Sequence, residues 1–282
     1  MPATAPRCGR ISYTNDLPVY YAIDQNAVVF PGTLLADVPS ALNRALLEGS
    51  LDLSPISSAL YPEHPNELLL LRQPCVGAPR EVRSIYLIST REPATLAGTP
   101  IAVTTESLTA RALLQIICRT WYGFDPVLVE SADPLAAYLA DGSPCLLIGD
   151  KAVDACEIVP AKSLFDLGTV WHKLSGCGMV FAVWAVRSDF ARREPAAAQA
   201  VAEALVASLQ WGLENMDRVI HRAQTIHPHH EGFYAEYYRS LCFSFDDDAR
   251  KWLAAFFTKG KEAGVFKLAP PLQFFDPAVQ HV

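Results

Sequence analysis

A chain of 282 residues, 51% hydrophobic and 19% charged, is long enough for two lobes and too apolar for disorder. A net charge of −7 without any basic run argues against nucleic acid or an anionic membrane surface as partner. Seven scattered cysteines with no C-x-x-C pair argue against a disulfide framework or a zinc knuckle.

Residues 9–15, GRISYTN, alternate apolar and polar positions and predict a first strand. Asp16 and Pro18 open a helix whose apolar face runs from Leu17 to Ile23, so Asn15 falls where strand gives way to helix. Val28 to Phe30 predict a short second strand closed by Pro31-Gly32. Pro39 opens a helix with a Leu42, Leu46, Leu47 stripe, and Gly49 ends it. Asp52 to Ile56 reads as a strand with Ser57 and Ser58 at its end, and an apolar segment at 67–71 is broken by Pro74, Gly77 and Pro79. VRSIYLIS, residues 82–89, reads as a strand carrying the chain outward to a second lobe, with Ser84 inside it, and 92–100 is a Pro- and Gly-containing linker.

The second lobe opens with a strand at 101–103, a turn at 104–106 and helical spacing from Leu108 to Cys118. A strand at 127–130, a helix at 134–139 and a strand at 145–148 ending in Gly149-Asp150 follow, and this alternation predicts mostly parallel sheets. The stretch FDLGTVWHKLSGCG, 165–178, is loop-like, with Asp166 and Gly168 flanking a Leu and Gly176 and Gly178 bracketing a Cys. Met179 to Val186 is an apolar run of strand length and reads as the buried strand that brings the chain back. The rest is helical: Val201, Leu205, Leu209 and Leu213, then Phe233, Tyr237 and Leu241, recur at four-residue spacing, and Asp246 to Asp248 cap a last helix with Gly264 just past its end. The expected organisation is a first lobe begun by 1–88, a second lobe of 89–185, and C-terminal helices 186–282 completing the first.

In open α/β sheets ligands bind outside the carboxyl ends of the strands, where helix N-termini gather. The residues at those ends are Asn15, Ser57, Ser58, Thr105, Ser107 and Asp150, small hydrogen-bonding groups with no Lys or Arg among them. Each of these residue types is also a preferred helix cap, so each taken alone is explained by capping; their convergence on one cleft is what suggests an anion site. His227, His229 and His230 flank Pro228 between helices without the four-residue spacing of a helical metal pair, and read as a solvated loop. No G-x-S-x-G, H-E-x-x-H, P-loop or G-x-G-x-x-G occurs, so no metal and no cofactor is expected.

These segments together carry a resemblance. Asn-x-Leu-Pro at 15–18, Asp-x-x-x-Ile-Ser-Ser at 52–58, Val-x-Ser-Ile at 82–85, Thr-x-Glu-Ser-x-Thr at 104–109, Leu-Ile-Gly-Asp at 147–150, and Asp-Leu-Gly with a following Trp and Val-Phe-Ala-Val-Trp at 166–184 resemble the chorismate dehydratases of the futalosine-dependent menaquinone pathway. The resemblance departs from the family at one turn, where Ser175-Gly176-Cys177-Gly178 stands for Thr-Gly-Leu-Pro. It implies a two-lobed α/β fold of the type 2 periplasmic binding proteins, Asn15 and Ser84 as the active-site pair, and Ser57, Ser58, Ser107 and Thr109 lining a cleft for chorismate. Two alternatives stay open. One is a sibling lyase acting on a cyclic futalosine derivative, which would want a larger pocket and a better acid-base group. The other is a non-catalytic solute receptor, which would need an export signal; MPATAPRCGR has no apolar core of that kind, and no apolar run approaches the ~20 residues of a membrane span, so a cytoplasmic enzyme is expected.

Overall fold

A computed structural model describes residues 5–278. The chain opens with β1 (Arg7–Ile11), a 3-10 turn (Thr14–Asp16), α1 (Leu17–Asp24), β2 (Thr33–Asp37), α2 (Pro39–Leu47), β3 (Leu53–Ser57), a second 3-10 turn (Ser58–Glu63) and β4 (Leu68–Ala78). Next come β5 (Ile85–Ile88), β6 (Pro100–Val103), α3 (Leu108–Ile117), β7 (Val127–Glu130), α4 (Pro134–Asp141), β8 (Cys145–Ile148), α5 (Gly149–Ile158), β9 (Leu164–Asp166) and α6 (Leu167–Ser175). After β10 (Met179–Arg187) the chain is helical through α7 (Ser188–Arg193), α8 (Pro195–Glu214), α9 (Met216–Ile226), α10 (Phe233–Ser240) and α11 (Asp247–Glu262).

Two five-stranded sheets result, ordered β2-β1-β3-β10-β4 and β7-β6-β8-β5-β9. In each, three strands pair in parallel, and the strand that brings the chain across from the other sheet pairs antiparallel with both neighbours. The sheets are therefore mixed rather than mostly parallel, because β5 and β10 enter from the opposite direction to the βαβ units beside them. The chain passes from the first sheet to the second through residues 79–84 and returns through α6.

β10 lies inside the first sheet between β3 and β4, which is why its sequence shows no alternation: every residue from Met179 to Val186 is buried. The Trp184 indole N–H donates to the Tyr20 hydroxyl at 2.9 Å, and that hydroxyl donates to the Gly9 carbonyl at 3.1 Å, linking β10, α1 and β1. α8 packs on α1, and α11 packs on β10.

Several elements depart from expectation. The second strand is Thr33–Asp37, not 28–30: Pro31-Gly32 leads into the strand instead of ending it, and Val29 is largely exposed. β4 continues through Pro74 and Gly77, since it is an edge strand with a register shift where Pro74 sits, and a missing N–H there breaks no ladder. The strand containing 82–89 begins only at Ile85, leaving Ser84 just before it. The largest departure is 165–178, which holds a short strand and a nine-residue helix. Asp166 caps that helix, accepting the Thr169 N–H at 2.7 Å, and also accepts the Val82 N–H at 3.1 Å and the Arg83 N–H at 2.7 Å. Gly168 is required beside it, because a Cβ there would collide with the Arg80 carbonyl. The Asp-Leu-Gly segment thus fixes the crossing that delivers Ser84.

Candidate functional site

One end of each sheet faces a small cavity. The first sheet contributes Ile11 at the end of β1, Ser57 at the end of β3, Val76 of β4 and Phe181 and Ala182 of β10. The second contributes Ser84 and Ile85 at the start of β5 and Ile148 at the end of β8. Asn15 reaches in from the first 3-10 turn, and three helix starts meet there: Pro39 of α2, Ser107 as the cap of α3, and Gly149 of α5. No charged side chain among the described residues lines it. Such a wall can hold a carboxylate only with neutral donors and helix N-termini, each helix start offering about half a positive charge.

The cavity measures about 50 Å³, well short of the ~300–1,000 Å³ of ligand pockets. Contacts across its mouth keep it shut. Asp150 accepts the Thr14 N–H at 3.1 Å and the Thr14 hydroxyl at 2.7 Å, so the start of α5 grips the turn that carries Asn15. The Tyr13 hydroxyl donates to Glu106 at 2.7 Å, and Lys151 meets the other Glu106 oxygen at 2.7 Å. Burial works against the Glu106 charge, yet Lys151 and Tyr13 hold its carboxyl below the usual range. The Tyr13 ring lies over Gly149, whose φ of +60° and absent Cβ permit the approach.

Polar atoms without partners cluster near this cavity. Asn15 Oδ1, Asp16 Oδ1 and Ser58 Oγ are buried with no hydrogen bond. Natural proteins satisfy nearly all such groups, and exceptions call for an explanation. Tyr237 lies beside Ser84, and burial pushes its hydroxyl well above the ordinary range. Asp16 is 1% exposed; burial pushes its carboxyl up to about 7, opposed by the Arg10 charge and the Ile11 N–H.

Of the residues singled out from sequence, Asn15, Ser57, Ser84 and Ser107 come together in the cavity wall. Ser107 also caps α3, accepting the Ala110 N–H at 3.2 Å, so both roles meet in one hydroxyl. Ser58 is fully buried just behind Ser57 and outside the lining. Thr109 is committed elsewhere: its hydroxyl donates to the Phe181 carbonyl at 3.0 Å and accepts the Ala59 N–H at 3.2 Å. Asp150 closes on Thr14, and Thr105 is exposed and outside the wall. Tyr13, Glu106, Asp16 and Tyr237 had no signal of their own, being an aromatic, two acids and a core-stripe residue of ordinary type.

The histidine segment differs from a solvated loop. His230 is exposed, but the His229 side chain is only 2% exposed, between the carboxylates of Asp154 and Glu157 on α5. A larger surface groove of about 880 Å³, bordered by His64, Arg111 and Lys267, gathers no strand end and no unpartnered buried polar atom.

Comparison with known proteins bears on this site. A family model described as menaquinone biosynthesis matches residues 6–262. Chorismate dehydratase of Thermus thermophilus is 32% identical over 216 residues, 69% of this chain and 75% of that protein. Among solved structures, a protein of Archaeoglobus fulgidus superposes with a TM-score of 0.74 at 18% identity, over 92% of this chain and 98% of that one. The alkanesulfonate-binding protein of Xanthomonas axonopodis pv. citri, bound to MOPS, gives 0.69 at 16% identity, over 96% and 97%. These likenesses establish the expected two-lobed fold of periplasmic binding proteins. No helix among the described residues is long and apolar enough to cross a membrane.

Proposed function

The chain belongs to the menaquinone biosynthesis family, and on that premise we propose that it is a chorismate dehydratase, eliminating water from chorismate to give 3-[(1-carboxyvinyl)oxy]benzoate. The observation that carries this reading is the uncharged cavity in which Asn15, Ser57, Ser84 and Ser107 meet three helix starts.

The reaction asks little of a protein beyond placement. The hydrogen at C3 of chorismate is acidic because the C1–C2 double bond conjugates the carbanion formed there with the ring carboxylate. Its loss, with departure of the C4 hydroxyl, makes an aromatic ring. The two carboxylates are held by the N-terminal turns of α3 and α5 with the Ser57 and Ser107 hydroxyls, each charge-assisted bond contributing about 1.5–3 kcal/mol. Asn15 and Ser84 donate to the enediolate or the leaving hydroxide, where negative charge grows during the reaction. Asparagine and serine are poor bases, so the substrate's side-chain carboxylate takes the C3 proton. Entry of chorismate requires the two lobes to part, releasing Asp150 from Thr14 and Glu106 from Tyr13; reclosure excludes water around the developing charge.

Purified protein incubated with chorismate tests this. Release of the aromatic ether acid, identified by mass and NMR, is the expected result. Tight binding of chorismate with no product would make the protein a receptor.

A further inference from the structure

We propose that Asp154, His227 and His229 form a binding site for a zinc-class divalent ion that ties α5 to the α9–α10 turn. The three residues present one oxygen and two imidazoles to a common point. His229 Nε2 lies 3.5 Å from Asp154 Oδ1, and His227 turns its Nε2 to the same oxygen while its Nδ1 lies 3.0 Å from the Tyr234 hydroxyl. Two ligands each about 2.0–2.1 Å from a tetrahedral ion stand ~3.3–3.4 Å apart, so the His229–Asp154 spacing matches an edge of such a site. The remaining contact, His227 Nε2 to Asp154 Oδ1, is 2.8 Å; it opens by about half an ångström to reach the same edge.

The surroundings hold the central imidazole for this task. His229 is 2% exposed, its ring packed against Phe233 at 4.6 Å between centroids. Its Nδ1 faces Glu157 Oε1 at 3.2 Å, so Nδ1 carries the proton and Nε2 keeps its lone pair toward the other two residues. A carboxylate on the far nitrogen of a ligating histidine fixes its tautomer and raises its basicity. Two nitrogens and one carboxylate suit a borderline ion such as zinc; magnesium and calcium prefer all-oxygen sites.

The position gives the site a consequence. α5 follows β8 of the second sheet and begins at Asp150 over the cavity, whereas α9 packs on α1 of the first. An ion here holds the two lobes together without touching the cavity wall, which none of these residues lines.

Metal-stripped protein is dialysed against zinc chloride alone and its bound zinc counted. One zinc per chain is expected, retained against excess magnesium and accompanied by a rise in the unfolding midpoint. Asp154 is 58% exposed, so Asp154→Asn is a mild change; it should weaken zinc at least ~10-fold with the metal-free midpoint unchanged. Glu157→Gln should weaken it by ~10–100-fold. His230→Ala should leave it intact. Zinc retained equally by wild type and Asp154→Asn would place it on other groups, such as the free cysteines, and overturn the proposal. So would a wild type that retains none.

Discussion

The wall of the cavity and the crossing at Asp166 both lie where the two sheets meet, and they treat buried polar atoms in opposite ways. At the crossing, one carboxylate accepts three backbone N–H groups and closes the account of its neighbours' hydrogen bonds. Burial pushes the Asp166 carboxyl above its ordinary range, with the N–H groups of Thr169, Arg83 and Val82 pulling the other way. Around the cavity, Asn15, Ser58 and Asp16 each keep a buried atom with no partner. A satisfied polar cluster holds a shape; an unsatisfied one holds capacity for something that arrives later.

The largest effect is expected at Asp16. Burial pushes its carboxyl up to about 7 in the folded protein against an ordinary 3.8. With the folded value raised, the stability tied to the neutral acid is fully present below pH ~4 and is lost as pH rises through 7. A shift of about three units corresponds to about 4 kcal/mol. Asp16→Asn keeps the neutral form throughout, so denaturant melts from pH 4 to 8 should show the variant losing less stability than the wild type. Parallel curves would mean that Asp16 does not titrate in this window.

Next in size, Ser84→Ala should cut kcat for chorismate by ~10²–10³, as expected for a donor used in the transition state; an unchanged kcat would remove Ser84 from the chemistry. Asp166→Ala should destabilise by about 2–3 kcal/mol, the loss of a cap plus unsatisfied N–H groups, read as a lower denaturant midpoint. A loss within ~0.5 kcal/mol, the range of an ordinary surface substitution, would show that water replaces the carboxylate. The smallest effects separate two hydroxyls on one turn. Ser107→Ala should weaken chorismate by about 1–3 kcal/mol, whereas Thr109→Ala, whose hydroxyl is spent on Phe181 and Ala59, should cost ~1 kcal/mol of stability and leave affinity alone. Equal losses of affinity in the two variants would erase the distinction.

Much of this contrast was legible in the sequence, for a physical reason. Strand ends and helix caps are local, so the convergence of Asn15, Ser57 and Ser107 follows from the α/β alternation itself, whereas Ser84, inside the expected strand, was marked only by the family resemblance. What was hidden depends on partners far along the chain. Thr109 looks like a cleft residue until Phe181, 72 positions on, claims its hydroxyl. Asp166 and Gly168 look like loop punctuation until the 80–83 segment docks on them. His229 looks solvated until α5 arrives beside it. Tyr237 sits on a core stripe, and only the fold sets its hydroxyl beside Ser84.

The central claim, that the unsatisfied atoms serve the reaction and not the resting fold, is tested most directly by measuring chorismate affinity and kcat side by side in Asn15→Leu. The account predicts a fall in kcat of ~10²–10³ with the dissociation constant changed by no more than a few-fold. A dissociation constant that rises by the whole of that factor, with kcat preserved, would contradict it and make Asn15 a holder of ligand alone.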